Sequence, residues 1–136
     1  MDKFLFIDFG GAAPVAGVLE GKKTHIFQSK SRDGISLLTK VLEKAGKKLK
    51  GIIAVTGPGS FSSVRGTALA ANMLSELLSV PVCGVTKREN ENAEGAARRR
   101  AAVFRSGKKS KYILPHYYAE PNITTPKDAG FLKIKN

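Results

Sequence analysis

GIIAVTGPGSFSSVRGTALAANMLSELL, residues 51–78, contains a nearly all-apolar strand, a Gly-Pro-Gly-Ser turn and a long helix. On a helical wheel, Arg65, Asn72 and Glu76 fall in one narrow strip, and apolar or small residues occupy the other directions. A surface helix usually has one apolar stripe and one polar face. We therefore expect one side of this helix to pack on a sheet and another side to need a partner. The alternative is a central helix that is buried all round.

The size of the chain argues against complete burial of that helix. A chain of 136 residues forms one domain by the usual prior of roughly 100–200 residues per domain, and it can bury one modest core. With 42% hydrophobic and 25% charged residues it is typical of a globular protein. No apolar run is long enough to span a bilayer, and the start, MDKFLFIDFGG, does not resemble a signal peptide. We expect a cytoplasmic protein without membrane contact, and the single cysteine, Cys83, excludes an internal disulfide.

The charge of the chain is strongly positive and unevenly distributed. More than half of the net charge of +12 falls in residues 87–136. Such a balance favours contact with nucleic acid through phosphate attraction, and a solubilising surface is the alternative. The candidate RNA contacts are Arg98, Arg99, Arg100 and Arg105.

Hydrophobic patterning predicts an α/β protein with a mixed five-stranded sheet. Strands are predicted at 3–7, 15–19, 24–28, 51–56 and 80–85, and the first three form an antiparallel meander. One helix is predicted to begin near Ser31 or Asp33 and to end at Gly46, and the second covers 61–78. We expect three regions: a lobe at 1–86, a basic polar linker or short helix at 87–111, and a C-terminal tail at 112–136 that packs on the lobe.

The order strand, strand, strand, helix, strand, helix, strand is that of one lobe of the actin-like, sugar-kinase-like and Hsp70-like ATPase fold. With the turn motif after the fourth strand, the chain resembles the TsaB (YeaZ-like) family, accessory subunits of the bacterial machinery that makes N6-threonylcarbamoyladenosine on tRNA. The motif residues are Gly57, Pro58, Gly59, Ser60, Phe61 and Arg65. Ser62 and Ser63 stand where the family usually has Thr and Gly. Members usually have two lobes, so the resemblance implies a truncated form that lacks most of the second lobe.

The resemblance implies a non-catalytic scaffold subunit that supports threonylcarbamoyl transfer to adenosine 37 of tRNA. The two helices of the lobe would pair with the equivalent helices of the catalytic TsaD subunit, the TsaE ATPase would dock nearby, and tRNA would be contacted through the complex. No cofactor is expected in this chain, since ATP and metal are expected in the partner subunits. An isolated copy could pair with itself through the same surface. That surface is expected to be drawn from Leu38, Val41, Leu42, Leu69, Ala70, Met73, Leu74 and Leu77.

Two other classes of function stay open at this point. The first is a small basic RNA-binding module, based on the arginine run and on tyrosines that could stack on bases. The second is a degenerate ATP-binding protein, based on Asp8 and Gly10 in the first turn. His25 and His116 have no nearby cysteine, serine elbow or carboxylate pair to form a triad or dyad, and two histidines and one cysteine give no zinc spacing.

Overall fold

A computed structural model describes residues 2–11, 13–29, 34–46 and 48–104. The elements, in chain order, are β1 (Lys3–Asp8), β2 (Val15–Glu20), β3 (Lys23–Gln28), α1 (Gly34–Ala45), β4 (Gly51–Val55), α2 (Phe61–Leu78), β5 (Val82–Val85) and α3 (Ala93–Ala102). The described residues form a single α/β lobe with a mixed five-stranded sheet, as the sequence predicted. The residues from 105 onwards, among them Arg105 and the tail at 112–136, lie outside the described part.

The five strands form one mixed sheet in the order β3-β2-β1-β4-β5. β1 pairs antiparallel with β2 and parallel with β4, where Phe4 lies opposite Gly51. β5 continues the parallel side of the sheet next to β4. The carboxyl ends of β1, β4 and β5 therefore meet at one edge, followed by the turn after Asp8, the Gly-Pro-Gly-Ser turn and the segment that leads to α3.

Helices cover both faces of the sheet. Alternate residues of each strand point to opposite faces, so Leu5 and Ile7 of β1 pack under α1 and α2, and Phe4 and Phe6 pack under α3. β4 divides in the same way, which explains why its sequence is apolar at every position. The result is a three-layer arrangement of two helices, a sheet and one helix.

The local signals in the sequence gave element boundaries close to the observed ones. α2 covers the predicted residues, and α1 ends one residue before Gly46, whose φ of +72° suits the left-handed position after a helix. β5 begins at Val82 and not at residue 80, because residues 79 and 80 belong to the end of α2. Ser79 has the left-handed conformation there, and the N–H of Val80 donates to the carbonyl oxygen of Ser75. Within the segment 87–111, for which a polar linker or a short helix was expected, the structure has the helix α3, which ends at Ala102.

One glycine in the sheet is required by close packing. A Cβ atom on Gly17 would lie 2.6 Å from the ring of Phe6 and 2.7 Å from the carbonyl oxygen of His25. The aromatic ring on β1 therefore occupies the space above β2. In the described part of the chain, none of the helices has the length and hydropathy needed to cross a bilayer.

Candidate functional site

Helix α2 has two different apolar faces. One face packs on the sheet through buried small and branched residues, among them Val64, Ala68 and Ala71. The opposite face leaves Leu69, Met73 and Leu77 exposed by 59%, 56% and 74%. The prediction that the helix has more apolar surface than its own core uses is confirmed. The helix is thus neither an ordinary amphipathic surface helix nor a fully buried one.

An apolar groove of about 460 Å³ runs between α1 and α2. Its walls and floor are formed mainly by Phe9, Ile35, Leu38, Leu69, Met73 and Leu77. Ile35, in the first turn of α1, is 79% exposed. Contiguous apolar surface of this kind usually marks a binding site for a protein or another apolar ligand.

The floor of the groove is fixed by a polar contact beneath it. The backbone N–H of Phe9 donates to Thr67 Oγ1 at 2.9 Å, and the Thr67 hydroxyl donates to the carbonyl oxygen of Ser63 at 3.1 Å. This contact joins the end of β1 to the buried side of α2. The Phe9 ring lies against Gly34, where a Cβ would be 3.0 Å from the ring, and near Gly66, where the nearest ring atom would be 3.8 Å away. The two glycines keep the groove open above the ring.

The residues predicted for a partner interface fall into three groups. Leu69, Met73 and Leu77 are exposed, and Leu38 and Ala70 are half-buried in the wall of the groove. Leu42 is half-buried against the core. Val41 and Leu74 belong to the core itself, Val41 with no exposed surface. Ile35 also lines the groove, although it was not among the residues predicted for the interface.

The carboxyl edge of the sheet contains a buried ion pair that the sequence did not reveal. Lys87 Nζ lies 2.9 Å from Asp8 Oδ2, with the two side chains 18% and 5% exposed. The N–H of Gly10 donates to Asp8 Oδ1 at 2.8 Å. Asp8 and Lys87 are 79 positions apart in the chain, so no local pattern could have paired them.

The Gly-Pro-Gly-Ser turn precedes α2 and packs against the turn that follows β1. Ser60 is the N-cap, and its Oγ accepts from the N–H of Ser63 at 3.3 Å, as expected for an ordinary cap. A Cβ on Gly59 would lie 3.2 Å from the Cα of Gly10. Gly57 and Pro58 complete the turn, and Arg65 of the same motif is exposed on α2. Phe61 is the first residue of the helix.

Two of the three consecutive arginines in α3 make contacts within the chain. Arg98 pairs with Glu94 at 3.4 Å and donates to the carbonyl oxygens of Gly21 and Lys22 and to Thr24 Oγ1. Arg99 forms a two-pronged pair with Glu91 at 2.7 and 3.0 Å. These contacts tie α3 to the β2–β3 turn and to the segment before the helix.

Arg100 is the remaining arginine of the run in the described residues, where it has no ion pair. Burial raises the pKa of the Cys83 thiol beneath α3, and the nearby charge of Arg100 partly opposes that rise. A contact between these arginines and RNA stays a prediction. Among the described ranges, no cluster of three or more His, Cys, Asp and Glu residues is arranged to hold a metal ion.

Comparisons with known proteins give a likeness of structure only. No protein-family model matches the sequence, and no curated protein matches it significantly. YeaZ from Pseudomonas aeruginosa has a similar structure, with a TM-score of 0.57 and 21% identity, over 64% of this chain and 45% of that one. A second structure, described as an uncharacterized protein from Pseudomonas aeruginosa with similarity to the peptidase YeaZ, gives a TM-score of 0.56 and 21% identity over 64% and 44%. The chain has a YeaZ-like fold and spans less than half the length of these two proteins.

Proposed function

We propose that this chain is a non-catalytic scaffold subunit that supports threonylcarbamoyl transfer to adenosine 37 of tRNA. In this proposal the groove between α1 and α2 receives helices of the catalytic TsaD subunit. The observation that carries it is the exposed apolar face of α2, placed beside an open groove on a lobe with a YeaZ-like fold.

The shape and chemistry of the groove favour a helix as its occupant. Exposed apolar side chains follow one another along α2 at Leu69, Met73 and Leu77, a spacing of four residues that lines up on one side of a helix. Ile35 continues the apolar surface across the groove. An amphipathic helix binds in an apolar groove through apolar side chains spaced three or four residues apart. Pairing of helices therefore fits this surface.

The other parts of the proposal follow from the resemblance of the sequence motifs. ATP and metal would be held by partner subunits, the TsaE ATPase would dock close to this lobe, and tRNA would bind to the assembled complex. An isolated copy would be able to cover the same apolar surface with a second copy. Residues of the groove offer no acid, base or nucleophile for chemistry of their own among the lining side chains, apart from the hydroxyls of Ser62 and Ser63.

Met73→Asp tests the groove directly. Met73 is exposed, so the variant should fold, whereas a carboxylate buried in an apolar helix interface without a partner costs several kcal/mol. We expect the affinity of the chain for the catalytic subunit to fall at least 100-fold, which corresponds to about 2.7 kcal/mol. The two proteins should then no longer co-purify. Gly66→Leu should have the same effect, because its side chain would fill the groove above Phe9.

Ile26→Asp is the matched control. Ile26 is also an exposed apolar residue, but it lies opposite Gly17 of β2, on the face of the sheet that α3 covers. The groove is on the other face. Pairing should survive this change. Leu74→Asp is unsuitable because Leu74 belongs to the core, and the variant is expected to unfold. If Met73→Asp and Gly66→Leu are folded and still bind the catalytic subunit as the unaltered chain does, the proposed surface is wrong.

A further inference from the structure

Asp8 lies where an α/β sheet usually presents its ligand site. It is the last residue of β1, at the edge where the carboxyl ends of the parallel strands meet. Ligands of open α/β sheets bind at this edge, in the crevice outside the strand ends. The actin-like ATPase fold that the sequence resembles implies a nucleotide and its metal ion at such a position. The residues present can be tested against that implication.

Each oxygen of the Asp8 carboxylate already has a partner within the chain. Oδ1 accepts the N–H of Gly10 at 2.8 Å, and Oδ2 lies 2.9 Å from Lys87 Nζ. The side chain of Asp8 is 5% exposed. A metal ion at Oδ2 would have to displace the ammonium group or stand beside it, and two cations within a few ångströms repel each other strongly where water is scarce.

The two glycine turns that could approach a phosphate instead approach each other. A Cβ on Gly59 would lie 3.2 Å from both the Cα and the carbonyl oxygen of Gly10, and a Cβ on Gly10 would lie 3.5 Å from the carbonyl oxygen of Pro58. The backbones of the turns are thus in van der Waals contact. One of the free amides at the start of α2, that of Ser63, is taken by Ser60 Oγ. A metal-bound phosphate does not fit between these turns as they stand.

Lys87 has a second connection to the same edge. Its backbone N–H donates to the carbonyl oxygen of Gly57 at 2.8 Å, and the preceding residue, Thr86, accepts from Arg99 Nη2 at 2.9 Å. The backbone and the side chain of Lys87 therefore both hold the segment between β5 and α3 against the strand ends. This segment leads directly into α3.

We propose that Lys87 is a built-in cation that takes the place, at Asp8, of the metal ion that would accompany a nucleotide. The lobe closes its own ligand edge with this lysine, and the ion pair fixes the segment that positions α3. Asp8 is accordingly a structural residue. The inference does not depend on any partner subunit, because the isolated full chain is sufficient to test it.

The first arm of the test measures ligand binding by thermal unfolding of the unaltered chain. MgATP, MgADP and MnCl2, each at about 5 mM, should change Tm by less than 1 °C. Since a ligand present at 100 times its Kd stabilises the native state by about 2.7 kcal/mol, a nucleotide site of even modest affinity would raise Tm by several degrees. A rise of several degrees with any of these ligands would overturn the proposal. If that rise were lost in Lys87→Met, Lys87 would be a ligand of the phosphate.

The second arm measures the ion pair through a double-mutant cycle. Lys87→Met leaves a buried carboxylate without its counter-ion, and we expect Tm to fall by at least about 10 °C. Asp8→Asn in the Lys87→Met background removes the buried charge and keeps an acceptor for Gly10, so it should recover at least half of that fall. Lys50→Met is the control. The Lys50–Asp2 pair has nearly the same length, 3.0 Å against 2.9 Å, but its side chains are 34% and 63% exposed, so Tm should change by less than about 4 °C.

The double variant keeps the test decisive if Lys87→Met does not fold. A folded Asp8→Asn/Lys87→Met chain would then show that the unpaired charge causes the failure, as proposed. If the double variant is as unstable as Lys87→Met, or if Lys87→Met is no less stable than Lys50→Met, the pair does not have the structural role assigned to it.

Discussion

At the scale of single residues, the pairing of Glu91 with Arg99 changes the titration of both groups. The hydrogen bonds from Arg99, followed by the N–H of Arg88, lower the pKa of the Glu91 carboxyl from 4.5 to about 2. The same pairing raises the pKa of Arg99. Because the ionised carboxylate is favoured in the folded chain, Glu91 stabilises the fold above pH 4.5. That contribution is lost as the pH falls from 4.5 to about 2.

Glu91→Gln should therefore make the chain less stable near neutral pH and less sensitive to acid. We expect the difference in Tm between the unaltered chain and this variant to be constant above about pH 5.5 and to close progressively as the pH falls towards 2. Thermal unfolding followed by circular dichroism across this pH range measures it. Arg99→Met removes the other partner and should reduce the acid dependence in the same way; a difference that stays constant down to pH 2 would contradict the assigned pair.

At the scale of one element, the sequence of α2 predicted the surplus of apolar surface but not its division. The periodic pattern identifies apolar positions, and packing decides which of them face the sheet. Met73 and Leu74 are adjacent apolar residues in the sequence, yet Met73 is exposed and Leu74 is buried. Glycines were ambiguous for the same reason, since a glycine can mark either an open groove or a crowded contact.

Gly66→Ala and Gly17→Ala should have opposite effects on stability. Gly66 lies within α2 and a methyl group there meets nothing closer than 3.8 Å, so the substitution should raise the free energy of unfolding by about 0.5–1 kcal/mol. At Gly17 the methyl group would lie 2.6 Å from the Phe6 ring, and overpacking should cost about 1–3 kcal/mol. Urea denaturation of both variants measures the two changes, and equal effects would contradict the packing described.

At the scale of the whole molecule, α3 is an integral part of the lobe. Ala93, Ala96 and Ala97 lie buried against the face of the sheet that contains Phe6, and Phe104 packs edge-on against Phe4 with ring centroids 5.0 Å apart. Small residues on α3 allow its backbone to approach the sheet closely. The helix therefore closes the second face of the core.

Ala96→Asp should destabilise the entire chain, and Ala102→Asp should not. Ala96 is fully buried between α3 and the sheet, where an unpaired carboxylate costs several kcal/mol, and we expect a loss of at least about 3 kcal/mol of unfolding free energy. Ala102, on the same helix, is exposed, and an aspartate there should cost less than about 1 kcal/mol. Thermal unfolding followed by far-ultraviolet circular dichroism measures both changes. If Ala96→Asp leaves the unfolding transition unchanged, α3 is not an integral part of the lobe.

The parts of the molecule that sequence reasoning reached are those set by local signals. Alternation, turn glycines and helix periodicity gave the order of elements and nearly all their limits, and the apolar excess of α2 indicated that this helix has a second apolar face. The Lys87–Asp8 pair and the contacts of Arg98 with the β2–β3 turn join residues more than 70 positions apart. The arginine run was predicted as a candidate RNA surface because composition records the charge of a residue but not its partner.

The strand order also has a consequence for how the chain folds during synthesis. β1, β2 and β3 are joined by short turns and precede β4 in the chain, so this antiparallel unit can form before β4 from local contacts. Its inner edge, β1, must then wait for β4, because Phe4 pairs with Gly51 only after the intervening chain, including α1, has been made. Until that moment β1 presents an apolar edge able to pair with another nascent chain. Aggregation during translation should therefore depend on the speed with which residues 29–55 emerge.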